Sequence, residues 1–134
     1  MMSARILLVD DEIHILRAAE FKLKRKGYDV RCAFDGEEAW AEIQDYRPDI
    51  LITDQQMPRL CGTELVARLR GCPEYSGLPV ILLTAKGFEL APRDTFEALG
   101  ILEVISKPFS PRELCNRVES ALEQRNPASE SLAP

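Results

Sequence analysis

A chain of 134 residues, 46% hydrophobic and 29% charged, is long enough for one globular domain that buries roughly two thirds of its unfolded surface without disulfide or metal staples. Its 17 Lys and Arg against 22 Asp and Glu leave a net charge of -5, which repels a duplex or an anionic membrane, so direct nucleic-acid and membrane partners are not expected. No apolar run approaches the length of a membrane span.

In chain order, Ile6 to Val9 reads as a buried strand running into Asp10 and Asp11. A helix follows, with Leu16, Ala19 and Leu23 on one stripe, Ile15 alongside, and Lys22, Lys24, Arg25 and Lys26 in its last turn. Those cations suit a helix C-terminus better than a docking patch. Gly27 closes the helix, and Tyr28 to Ala33, less apolar, suits a strand at a sheet edge. Asp35 with Glu38 three residues on opens a second helix carrying Ala39, Trp40 and Ile43.

The stretch from Asp49 to Pro58 organises the chain. Ile50, Leu51 and Ile52 form a strand buried on both faces, and Asp54 falls where that strand stops, followed by Gln55, Gln56, Met57 and Pro58. Gly62 to Arg70 is a third helix with Leu65, Val66 and Leu69 inward, and Gly77 and Pro79 punctuate the entry to a strand Val80 to Leu83 that ends on Thr84. Lys86 to Leu90 reads as loop, with Pro92 in the first turn of a short helix that ends at Gly100. Leu102 to Ile105 is the fifth strand and leads to Lys107-Pro108. Ser110-Pro111-Arg112-Glu113 caps a last helix striped by Leu114, Val118 and Ala121. From about Asn126 the small, polar, proline-bearing sequence reads as a disordered tail, so the domain is placed at 5–124 and the tail at 125–134.

Five strands alternating with five helices argue for an α/β fold with a doubly wound parallel sheet. Ligands bind such sheets at the carboxyl ends of the strands. There Asp10, Asp11, Asp54, Thr84 and Lys107 would converge, an acidic site with one hydroxyl and one ammonium. Clustered carboxylates repel unless a cation sits among them, and hard oxygens with room for water favour Mg2+ over Ca2+.

The Asp10-Asp11 pair, Asp54 followed by Met57-Pro58, Thr84-Ala85 and Lys107-Pro108-Phe109, in this order and each after an apolar run, resemble the receiver domain of two-component response regulators over about Arg5 to Gln124. The resemblance implies a flavodoxin-like sheet of strand order 2-1-3-4-5 with a cis Lys107-Pro108 bond. It makes Asp54 the phosphoacceptor. Asp11, Asp54 and the backbone carbonyl of Gln56 would be Mg2+ ligands, with Asp10 acting through water. Lys107 would be the cation for the phosphoryl group and Thr84 the switch. It implies a signalling protein that catalyses only its own phosphotransfer and dephosphorylation, fed by a histidine kinase or phosphotransfer protein. Output would go to a downstream protein target, the chain being a monomer or weak dimer through a face spanning about 92–122.

Three positions depart from the family pattern. Val104 stands where an aromatic ring is usual, so switching is expected to fall to Thr84 and the Lys86 to Leu90 loop. Cys61 replaces the usual acid before Gly62, which predicts a poorly capped third helix. Gln56 and Lys86 flank the site where the family tunes phosphoryl lifetime. Cys32, Cys61, Cys72 and Cys115 lack C-x-x-C spacing, and with the single His14 they do not form a zinc pattern. Free thiols, no signal peptide and no second domain pattern predict a stand-alone cytoplasmic receiver. Two other readings stay open: a phosphorylation-independent interaction module of receiver fold, and an aspartate-nucleophile phosphatase of the haloacid-dehalogenase type, the second disfavoured because Gln56 stands where its general acid would be.

Overall fold

The computed structural model describes residues 3–85 and 93–130. The expected loop Lys86 to Leu90 and Pro92 lie outside the described residues. The elements run β1 (Arg5–Val9), α1 (Ile13–Arg25), β2 (Asp29–Ala33), α2 (Gly36–Tyr46), β3 (Ile50–Asp54), α3 (Gly62–Arg70), a 3-10 turn (Pro73–Tyr75), β4 (Val80–Thr84), α4 (Arg93–Ala98), β5 (Glu103–Ser106) and α5 (Pro111–Glu130). All strand pairs are parallel and the order is β2-β1-β3-β4-β5, the doubly wound sheet that the alternating pattern predicts.

Alternation along each strand divides the core in two. Ile6, Leu8, Ile50, Ile52, Ile81, Leu83 and Ile105 face α1 and α5, meeting Leu16, Ala19, Leu23, Leu114 and Val118. Leu7, Val9, Leu51 and Val80 face the other way, onto Ala39 and Ile43 of α2 and Leu65, Val66 and Leu69 of α3. Each fully buried leucine or isoleucine contributes about 1.5–3 kcal/mol. Burial on both faces explains why the central strands read as unbroken apolar runs.

The starts of α2 and α5 follow their capping signals, and the basic end of α1 its dipole, with one exception among the helix starts. Asp35 Oδ1 accepts from Glu38 N at 2.8 Å, while Glu38 Oε1 accepts from Phe34 N at 2.7 Å. Ser110 Oγ accepts from Glu113 N at 3.0 Å. The basic end of α1 is occupied locally: Lys24 pairs with Glu20 at 3.1 Å and Arg25 lies over the Phe21 ring. The exception is α3, which is well capped despite Cys61. Gln55, at the end of β3, accepts from Thr63 N at 2.8 Å through Oε1, and Glu64 Oε1 accepts from Cys61 N at 2.9 Å. An amide from the end of the preceding strand thus adds to the reciprocal capping box that Cys61 and Glu64 form. Gln55→Ala should therefore cost about 1 kcal/mol in urea unfolding, the usual loss of a helix cap; an unchanged midpoint would show Glu64 to be sufficient.

The backbone of α5 continues to Glu130, beyond the Asn126 position where disorder was expected to begin. Pro127 within this extension has no N–H to donate, so these turns gain fewer hydrogen bonds than a regular helix of the same length. At the sheet end away from the acids, Arg70 closes α3 onto two turns. Its Nε donates to Leu99 O at 2.6 Å and Nη2 to Gly100 O at 3.2 Å, while Nη1 donates to Tyr75 O at 3.0 Å and Ser76 O at 3.2 Å. Gly100 takes the left-handed backbone (φ +69°) that ends the α4 turn.

Candidate phosphoacceptor site

Four strands deliver the site. In register, Val9 pairs with Thr53, Asp54 with Leu83 and Thr84 with Ser106, so Asp10, Asp54, Thr84 and Lys107 all emerge at the carboxyl edge. Backbone bonds fix their exits: Asp10 N donates to Ala33 O at 3.2 Å, Gln55 N to Leu83 O at 2.8 Å and Lys107 N to Thr84 O at 2.7 Å. The Lys107-Pro108 bond is cis, as the resemblance implies.

Lys107 Nζ sits among three carboxylates, 3.0 Å from Asp10 Oδ2, 3.2 Å from Asp54 Oδ2 and 2.7 Å from Glu12 Oε1. Asp10 and Asp54 are buried, at 1% and 2% exposure, whereas Glu12 stands at the mouth. Asp10 Oδ1 accepts from Glu12 N at 2.9 Å, which fixes the turn into α1. The arrangement is electrostatically tense. Burial raises the Asp54 carboxyl to about 6; the charges of Asp10 and Asp11 push the same way, and Lys107 only partly offsets them. Burial likewise raises Asp10. Burial works against the charge of Lys107, but the hydrogen bond to Glu12, the close Asp10 carboxylate and the field of Asp54 outweigh it and hold the ammonium firmly protonated.

Four buried polar atoms here have no hydrogen-bond partner: Asp10 Oδ2, Asp54 Oδ1, Gln56 Nε2 and Thr84 Oγ1. Asp10 Oδ2 keeps only its charge contact with Lys107. Gln56 turns its other amide atom, Oε1, to Ala85 N at 3.0 Å, bridging the loops that follow β3 and β4. Ligand oxygens of Asp10, Glu12 and Asp54 lie within 4.8 Å of one another. Orphaned, buried carboxylate oxygens beside a third acid suit a hard divalent cation.

The structure thus brings Asp10, Asp54, Thr84 and Lys107 together. Asp11 is exposed beside them, close enough for its charge to act on Asp54. Gln56 approaches through its side chain. Glu12 was not singled out in the sequence, since an acid in the first turn of a helix is commonplace, and its ion pair spans 95 residues. Val104 is on β5 with 37% exposure, and Leu102 just before it is exposed as well. His14 is exposed and, with Ile15, Ala18, Pro108 and Phe109, lines an apolar groove next to Lys107. The four cysteines are free thiols. Among the described residues, no helix is long and apolar enough to cross a membrane.

Comparison with known proteins gives one consistent answer. The sequence profile of the response regulator receiver domain matches residues 6–119. The chain is 39% identical over 133 residues to the alkaline phosphatase synthesis transcriptional regulatory protein PhoP of Bacillus subtilis (strain 168), covering 99% of this chain and 52% of PhoP. It therefore spans about half the length of that relative. Among solved structures, the chemotaxis response regulator CheY4 of Vibrio cholerae superposes with a TM-score of 0.82 at 32% identity, covering 90% of this chain and 99% of CheY4. NtrX of Brucella abortus superposes with a TM-score of 0.83 at 30% identity, over 98% of this chain and 29% of NtrX. A five-stranded parallel sheet of order 2-1-3-4-5, an acidic pocket at its carboxyl edge and these matches make the chain a member of the response regulator receiver domain family, the receiving module of two-component systems.

Proposed function

We propose that this receiver takes a phosphoryl group onto Asp54 from a phosphohistidine of a histidine kinase or phosphotransfer protein and signals to a downstream protein partner. The observation that carries the reading is Asp54 itself. It is a buried carboxylate with one oxygen unpartnered, at the strand end where Lys107, Thr84 and two further acids gather. In the transfer, an Asp54 oxygen forms the new P–O bond as the P–N bond of the donor breaks, and the electron pair returns to the donor imidazole.

Asp11, Asp54 and the Gln56 carbonyl would hold Mg2+, with Asp10 through water. When bound, the ion supplies positive charge to the transferring phosphoryl oxygens. The remaining roles belong to the chain. Lys107 neutralises a phosphoryl oxygen as a compact ammonium, and the unpartnered Thr84 hydroxyl is free to donate to another. The wall formed by β4, β3 and β1 keeps the carboxylate dry on its inner side.

Incubation with a small acyl phosphate and Mg2+ should add one phosphoryl group to the wild type and none to Asp54→Ala, as read by intact-protein mass spectrometry. Lack of incorporation into the wild type would instead favour a phosphorylation-independent interaction module. Lys107→Ala should still be phosphorylated, but more slowly, and should lose most of the amide-shift response over β5 and α5, because the ion pair that reports the phosphoryl group is gone. Full response in that variant would remove Lys107 from the role. The exposed Leu102 and Val104 lie on the face we assign to output or weak dimer contact.

A further inference from the structure

Glu12 is the N-terminal flanking residue of α1, and its side chain makes no cap to its own helix. It reaches instead across the site mouth to Lys107, with the shortest of the three carboxylate contacts, 2.7 Å against 3.0 Å for Asp10 and 3.2 Å for Asp54. The two buried acids that Lys107 touches are also those whose oxygens Oδ2 (Asp10) and Oδ1 (Asp54) lack hydrogen-bond donors. A divalent cation and the lysine therefore want overlapping carboxylates. A buried ammonium with no other partner would have to leave Asp10 and Asp54 unpaired or be left unpaired itself, which is costly either way. Glu12 stands at the mouth and is more than half exposed, so it can hold Lys107 from the solvent side while the two buried acids turn to a cation.

We infer that Glu12 is a positioning residue, a tether that lets Lys107 release Asp10 and Asp54 to a divalent cation without leaving the site. The inference rests on the Mg2+-dependent reading above, but it concerns the resting position of Lys107 and is tested separately. In this scheme Glu12 need not ligate the ion. It lowers the cost of moving the ammonium aside and keeps it within reach of an incoming phosphoryl oxygen.

The test is a double-mutant cycle between Glu12→Gln and Lys107→Met, with Mg2+ alone titrated calorimetrically into each of the four proteins. With Lys107 present, Glu12→Gln should weaken Mg2+ binding by about two- to fivefold, the range of a partly exposed ion pair. With Lys107→Met the same change should have less than half that effect on a logarithmic scale, since no ammonium then competes. An equal loss in both backgrounds would make Glu12 a ligand or a simple field charge, and no loss in either would leave it without influence; both results overturn the tether. A second readout needs no metal. In the metal-free protein, proton exchange at Lys107 Nζ, followed by lysine side-chain NMR, should be slowed in the wild type and faster in Glu12→Gln. Equal exchange rates would overturn the tether even if Mg2+ binds normally. Slowed exchange in a wild type that binds no Mg2+ would instead count against the functional reading alone.

Discussion

Asp54→Asn is expected to abolish phosphoryl incorporation and to make the metal-free protein more stable at neutral pH. The first effect follows from chemistry: an amide oxygen has no negative charge to bring to phosphorus, and the neighbouring Asp10 carboxylate is already engaged by Lys107 at 3.0 Å. The second follows from linkage. In the folded protein Asp54 takes up its proton at about pH 6, against about 4 in the unfolded chain. Between those values the native state binds more protons than the unfolded state, so stability falls as pH rises through the window, and the whole loss is present above it. The variant has nothing to titrate there. Because Lys107 also loses a partner, the gain at pH 7 should be only about 1–2 kcal/mol. Urea unfolding of both proteins in EDTA at pH 5 and pH 7 measures it. The account fails if the variant incorporates phosphoryl at the wild-type rate, or is less stable than the wild type at pH 7.

Gly62→Ala should damage both the fold and the site with a single methyl group. A Cβ at this position would lie 2.6 Å from the Asp54 carbonyl oxygen, 2.8 Å from Leu82 Cδ1 and 3.0 Å from Gln55 Oε1. The first of these is backbone in the central strand and cannot swing away. Gly62 N also donates to Gln55 O at 3.1 Å, so the α3 start is held against β3 at close range. Overpacking of this type costs about 1–3 kcal/mol, and the better helix propensity of alanine returns less than about 1 kcal/mol. A net loss near 2 kcal/mol is expected, together with a phosphorylation rate roughly tenfold lower because the carboxylate is moved from its line of attack. An unfolding midpoint at or above that of the wild type would show that α3 can retreat from the strand without penalty.

The parts of this molecule that were legible in its sequence are those fixed by short-range rules. Unbroken apolar runs at Ile6, Ile50 and Val80 announce strands covered on both faces, and an acid, an acid and a threonine at their ends mark one sheet edge. Capping signals at Asp35 and Ser110 set their helices. The reach of long polar side chains was not legible. Gln55 adds a bond to the start of α3, beside the Cys61–Glu64 capping box, because the chain folds back after β3 and sets Gly62 N against Gln55 O at 3.1 Å. Glu12 joins the site for a similar reason: its partner comes from the other end of the chain, where only the folded sheet brings them together. The 3-10 turn at Pro73–Tyr75 is too short for a periodic signal, yet Tyr75 is buried in the core beneath it.

Arg70 has a mechanical meaning. Among the described residues it has no carboxylate partner; its charge is spread over carbonyls of two turns that follow different helices, Tyr75 and Ser76 after α3, Leu99 and Gly100 after α4. A planar guanidinium can bridge both at once, which a lysine ammonium on its flexible stem does not reproduce. One end of α4 is thus riveted to the far side of the sheet. Were a phosphoryl group on Asp54 to displace Thr84, as in the function we propose, a helix held at this end is expected to turn about it like a lever about a fulcrum, where an untethered helix would slide.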